Sequence, residues 1–194
     1  MSPVPILKDI FPIVIDSDLQ LRLLENQDAM RLFQLVDSSR THLRKWLPFV
    51  DDYRSVDDAT EFISRCREKL DDRSGLGIGI WSNGDMAGVV TYDYLDWNNL
   101  ATRIGYWLGN TFEGRGLMTR TCRALVDLAF HKMHLNRVEI WCASENERCR
   151  RVPERLGFKL EGILRERERG LGRFLDIASY ALLAREWKIT RPEG

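Results

Sequence analysis

Apolar positions along the chain follow two rhythms. "LQLRLL" at 19–24 alternates as a half-buried strand does. From Asp28 to Val36, Met30, Leu32, Phe33 and Val36 fall at mixed helical spacings and predict a helix. The next stretch, 39–55, is less regular: Leu43, Trp46 and Leu47 make one apolar face, which Pro48 ends. A clearer helix starts at Ser55, a capping residue. Asp57 and Asp58 suit its positive end, and Ala59, Phe62, Ile63, Cys66 and Leu70 form its buried stripe.

Period-two patterning then takes over. "GLGIGIW" (75–81), the turn "SNGD" (82–85) and "MAGVVTYDYL" (86–95) read as a hairpin, and "ATRIGYWLG" (101–109) as a third strand of the meander. A helix follows at 120–132, with Ala124, Leu125, Leu128 and Ala129 on one face. "NRVEIWCA" (136–143) returns to strand, and a short helix near 147–156 stops at Gly157. Pro153 inside it removes the hydrogen bond to residue 149 and frees that carbonyl. Long strands at 158–169 and 174–184 close the chain around "GLG" at 170–172. The order implies an α/β (α+β) fold: a central mixed, mostly antiparallel twisted sheet with helices on both faces. The helical connection between 101–109 and 136–143 makes that pair parallel. No repeat or internal boundary appears, so residues 1–194 read as one domain, with a proline-bearing arm at 1–17 and a tail at 186–194.

Charge narrows the function classes. The 29 basic and 29 acidic side chains cancel, which argues against a dedicated nucleic-acid binder. Four cysteines with no CxxC pair and three histidines give no convincing zinc set, so no metal is expected. No signal peptide or membrane span is evident, and a reducing cytoplasm fits best.

The chemistry concentrates in "GNTFEGRGLMTR" (109–120), where glycines precede a helix. Such a turn brings exposed N–H groups to a helix start, an anion site, though a tight strand-to-helix turn without a ligand uses the same residues. "IGYWLGNTFEGRGLMTRTCRALVDLAF" (104–130) and "NRVEIWCASENERCRRVPERLGFKLEGILRE" (136–166) together resemble the GNAT family of N-acetyltransferases, and within it the branch that acetylates the N-terminal amines of ribosomal proteins. The resemblance spans roughly 19–185. It departs at Thr111, where the motif has glutamine or arginine, and at Cys149, where the branch has a serine acting as general acid.

The resemblance implies acetyl-coenzyme A as cofactor. Its pyrophosphate would lie against Phe112, Glu113, Gly114, Arg115, Gly116, Leu117, Met118, Thr119 and Arg120, with Asn146 on the pantetheine arm unless it is only a helix cap. The family's fourth and fifth strands, here 103–109 and 136–143, would part to admit pantetheine, and backbone N–H near Trp107 or Leu108 would form an oxyanion hole. Glu168 matches the general base, although "RERER" (165–169) also reads as a solvated edge with Glu166 and Glu168 on one face. Cys149 is a general acid, an inert buried thiol or a nucleophile. Acceptor walls are expected from Trp46, Tyr53, Tyr92 and Tyr94, with Asp51 and Asp52 near the entrance. Three readings stay open: acetylation of a protein N-terminus, acetylation of a small amine such as a polyamine, and non-catalytic acyl-coenzyme A binding. The long terminal strands would permit a homodimer.

Overall fold

The computed structural model describes residues 6–170 and 172–187. Most of the expected tail, the first five residues of the arm and the middle of the 170–172 turn lie outside them. The strands are β1 (Ile13–Val14), β2 (Leu19–Leu23), β3 (Leu76–Ser82), β4 (Asp85–Asp96), β5 (Ala101–Leu108), β6 (Arg137–Ala143), β7 (Lys159–Arg169) and β8 (Phe174–Leu183). The helices are α1 (Ala29–Leu43), α2 (Val56–Asp71), α3 (Leu117–Asp127), which continues as a π-type turn through Leu128–Lys132, and α4 (Glu147–Arg155). The eight strands form one sheet in the order β1-β2-β3-β4-β5-β6-β8-β7. Every pairing is antiparallel except β5 with β6.

Strand alternation divides the core between the two faces. Ile78, Ile80, Val90, Tyr92, Ile104, Val138 and Ile140 pack with Leu117, Cys122, Leu125 and Val126 of α3. Trp81, Met86 and Val89 pack on the other side with Leu32, Val36, Ile63 and Cys66 of α1 and α2. Each such buried aliphatic or aromatic side chain contributes roughly 1.5–3 kcal/mol. Helix α2 lies so close to β3 that a Cβ on Gly77 would meet the Cys66 sulfur at 2.3 Å.

Helix α1 runs unbroken from Ala29 to Leu43, further than the periodicity predicts. The reason is Ser39, a buried polar residue in the apolar stripe. Its hydroxyl accepts from the Asn110 backbone N–H at 3.2 Å and so ties the helix to the loop after β5.

The pairing that positions the site is the one that stops. Strands β5 and β6 are in register from Ala101↔Arg137 to Ile104↔Ile140 and no further, yet β5 continues to Leu108 and β6 to Ala143. Beyond Ile140, β6 pairs only with β8, as far as Ala143↔Ile177. The strands therefore part toward their carboxyl ends.

Arg120 anchors the start of α3 to the far edge of the sheet. Its guanidinium donates to Asp18 at 2.8 and 3.1 Å and also binds Asp16. The hydrogen bond from Arg120, then that with Asp16, lowers the Asp18 carboxyl from its ordinary 3.8 to about 2. A carboxyl depressed in the folded state stabilises above its unfolded value and loses that contribution as pH falls through the folded one. Asp18→Asn is expected to lower the urea midpoint at neutral pH and to flatten its decline between about pH 4 and pH 2, measured by urea titrations across that range.

Candidate active site

Where β5 and β6 separate, a cleft of about 570 Å³ opens. Its lining includes Trp107, Leu108, Gly114, Gly116, Met118 and Thr119 on one side and Trp141, Cys142, Asn146, Cys149 and Glu168 on the other. Backbone polarity follows from the β4–β5 register. Gly109 N–H bonds the Ala87 carbonyl at 2.9 Å, and Trp107 lies opposite Val89 one alternation earlier. In an antiparallel ladder the peptide groups of alternate residues point to opposite neighbours. The Trp107 N–H is therefore spent on β4. The peptide groups of Tyr106 and Leu108 face β6, which is no longer there to pair with them. Of the two expected oxyanion donors, Leu108 is the one aimed into the cleft, and Trp107 contributes only its side chain to the wall.

The anion cradle follows from the glycine turn. Gly114 and Gly116 adopt φ of 76° and 71°, and a Cβ at either would meet nothing within 4 Å. Gly116 caps α3, and the first return bond is Arg120 N–H to the Gly116 carbonyl, at 3.1 Å. The N–H groups of Leu117, Met118 and Thr119 precede that bond and face the end of the helix. This donor set fits a pyrophosphate. Arg120 does not belong to it: its backbone N–H is bonded and its guanidinium is held by Asp16 and Asp18. Phe112 packs between the two core clusters, with the Arg115 guanidinium over its ring at 5.7 Å, so neither side chain is a cleft wall. The Glu113 carboxylate spans the mouth, 2.8 Å from His42 Nε2 on α1 and bonded to Arg148 on α4.

The other wall rests on α4. Asn146 Oδ1 accepts the Cys149 N–H at 3.1 Å, so Asn146 is a helix cap and keeps its amide N–H groups for the cleft. The carbonyl that Pro153 frees is not idle: the Tyr106 hydroxyl donates to it at 3.0 Å and lies 3.5 Å from the Cys149 sulfur. Burial holds the Tyr106 hydroxyl well above its ordinary pKa, so it stays a neutral donor. Cys149 itself is joined to Cys142 of β6 by a disulfide. The thiol expected at position 149 is thus absent in this oxidation state.

Glu168 reaches the cleft because the strand is irregular. The β7–β8 register shifts between Leu164 and Glu168, and Glu166 takes φ 51°. Such a bulge re-aims side chains. Glu166 and Glu168 therefore do not share a plain alternating face. Glu168 lines the cleft, and its carboxylate carries no hydrogen bond or ion pair among the described residues. Arg167 lies 5.5 Å from the Trp141 ring, with Arg103 on that ring at 4.2 Å.

Among the acceptor residues, Trp46 lines the cleft and the tyrosines do not. Tyr92 is 1% exposed and its hydroxyl donates to the Leu125 carbonyl, which makes it core. Tyr53 is buried against Phe49 and Phe62. Tyr94 turns to Glu139, at 3.4 Å. Asp51 is paired with Arg44 at 3.2 Å, and neither it nor Asp52 borders the cleft. The sequence reading missed Tyr106, Cys142, His42 and Arg148. The separation of seven residues between Cys142 and Cys149 matches no familiar cysteine motif, and only the fold brings the others together.

Residues 18–159 match the model of the acetyltransferase (GNAT) domain. The chain belongs to the GNAT acetyltransferase family. It is 38% identical over 179 residues to the putative ribosomal N-acetyltransferase YdaF of Bacillus subtilis, covering 92% of this chain and 98% of that one. The ribosomal-protein alpha-N-acetyltransferase RimL, solved in complex with coenzyme A, superposes with a TM-score of 0.86 at 26% identity, over 89% of this chain and 97% of that one. The microcin self-immunity acetyltransferase MccE, solved with acetyl-coenzyme A and AMP, gives 0.86 at 25%, over 89% and 96%. The chain is an acetyl-coenzyme A-dependent N-acetyltransferase, and the cradle and the unpaired edge of β5 fit that coenzyme.

Gly116→Ala tests the cradle. A left-handed cap costs a Cβ-bearing residue about 1–2 kcal/mol, relieved by a shift of the first turn of α3. Calorimetry is expected to find acetyl-coenzyme A binding weakened by about tenfold.

Proposed function

We propose that this GNAT acetyltransferase acetylates the N-terminal α-amine of a protein, by direct attack of the neutral amine on the thioester in a ternary complex. The observation that carries the reading is the bulge in β7, which brings an unpartnered carboxylate, Glu168, to the wall of the same cleft that exposes the β5 edge. Acetyl-coenzyme A, when bound, supplies an activated acyl group. The Leu108 N–H would donate to the thioester carbonyl oxygen of bound acetyl-coenzyme A, and it needs no reorganisation because pairing with β4 holds β5 in place. An α-amine has pKa near 8 and arrives largely protonated. Glu168 takes its proton, directly or through water. In the reduced form, the Cys149 thiol protonates the departing thiolate, with Tyr106 fixing the sulfur and its carbonyl.

The charges of the cleft support a peptide over a polyamine. Arg103, Arg148, Arg151 and Arg155 line it alongside Asp93, Glu113 and Glu168. Asp93 is bonded to Arg103 at 2.8 Å, and Glu113 to Arg148 and His42. A polycation would meet neutralised carboxylates and excess arginine, whereas a peptide presents one amine and a chain of neutral or acidic groups.

Glu168→Gln is expected to lower kcat for an N-terminal peptide by about 100-fold near neutral pH. The deficit should narrow as pH rises past about 8, where the amine loses its proton unaided. Initial rates from the mass of acetylated peptide measure both effects. A pH-independent deficit would remove Glu168 from the role of base, and transfer to polyamines but to no peptide would replace the acceptor.

A further inference from the structure

The cysteines of this chain fall into contrasting pairs. Cys66 and Cys122 are buried in opposite cores, and burial pushes the Cys66 thiol up to about 11. Cys142 and Cys149 both line the cleft and are bonded to each other, Cys142 buried and Cys149 half-buried. Their Cα atoms lie 5.9 Å apart, within the span a disulfide bridges without backbone movement. The bond can thus open and close on side-chain rotation alone. It stands where β6 has left β5 and where α4 begins, so it joins the floor of the cleft to its wall.

We infer that Cys142 and Cys149 are a reversible thiol–disulfide pair inside the coenzyme cleft, and that acetyl transfer proceeds in the dithiol form and stalls in the disulfide form. The inference rests on the transferase reading above. Its chemistry is thiol–disulfide exchange with a small disulfide, RSSR, able to enter the cleft. The Cys149 thiolate, the more exposed sulfur, attacks one sulfur of RSSR, forming Cys149–S–S–R and expelling RS⁻. The Cys142 thiolate then attacks the Cys149 sulfur, forming the internal bond and expelling the second RS⁻. Two electrons pass from the protein to RSSR, and the two cysteine protons end on two RSH. A reducing thiol reverses both steps. Oxidation leaves Cys149 without a proton for the leaving thiolate and ties α4 to β6 across the opening. The Tyr106 hydroxyl, 3.5 Å from the sulfur, is already committed to the Cys149 carbonyl.

The full chain is equilibrated across ratios of reduced to oxidised glutathione, and free thiols are counted by alkylation and mass spectrometry. Parallel samples, freed of glutathione, are assayed for acetylated peptide. Thiols are expected to fall from four to two, with a cross-linked peptide joining 142 to 149. Transfer is expected to slow by about 100-fold in step and to return fully on dithiothreitol treatment. Cys142→Ser is expected to form no internal bond and to hold, at every glutathione ratio, whatever rate it shows when fully reduced. A thiol count that stays at four at every ratio overturns the pair. Bond formation with unchanged transfer overturns its control and leaves the transferase standing. Absence of transfer in the fully reduced protein overturns the acceptor reading and the control together, distinguishable because the bond is counted without activity. Stalling of oxidised Cys142→Ser with no added mass overturns the bond as the cause.

Discussion

The structure depends on one hydrogen-bond ladder that is left incomplete. Buried backbone groups must be paired, and a sheet normally pairs them with the next strand. Here β5 and β6 keep register only to Ile104↔Ile140. The unpaired edge beyond is stable because each strand is held from its other side, β5 by β4 and β6 by β8. The opening is as long as the stretch by which β5 and β6 outrun that last pair, so the register, more than any one side chain on β5, sets the cleft.

Around that opening the two faces of the sheet do different work. On one face α3 brings its N-terminus to the cleft, held in place by its buried stripe and by the ion pairs of Arg120 with Asp16 and Asp18 beside the edge strands. On the other, α1 and α2 cover the meander and bring Trp46 and His42 to the mouth. The β7–β8 hairpin supplies Glu168 from the far edge, through a bulge and not through regular alternation. The site is thus assembled from elements spread along the chain, from His42 on α1 to Glu168 on β7.

That separation explains what could be read in advance. The alternation of 75–109 and 136–143 and the stripes of α2 and α3 were legible, because burial on one face of a regular element writes a period into the chain. The cradle was legible because left-handed backbone asks for glycine at 114 and 116. The full length of α1 was hidden by Ser39, whose partner Asn110 is distant in sequence. Tyr92 looked like a substrate wall because an aromatic on a strand carries no mark of the face it takes. The Glu168 direction depends on a register slip that alternating "RERER" conceals.

Pro153 gives the site one further property. A helix normally keeps its hydrogen bonds to itself, so its height over a sheet is free to follow packing alone. In α4 the proline releases the Cys149 carbonyl, and Tyr106 of β5 takes it at 3.0 Å. The reach of one tyrosine side chain therefore gauges the gap between the parted strand and the helix above it, like a spacer cut to length. The passage along β5 therefore has a ceiling hung from its own floor.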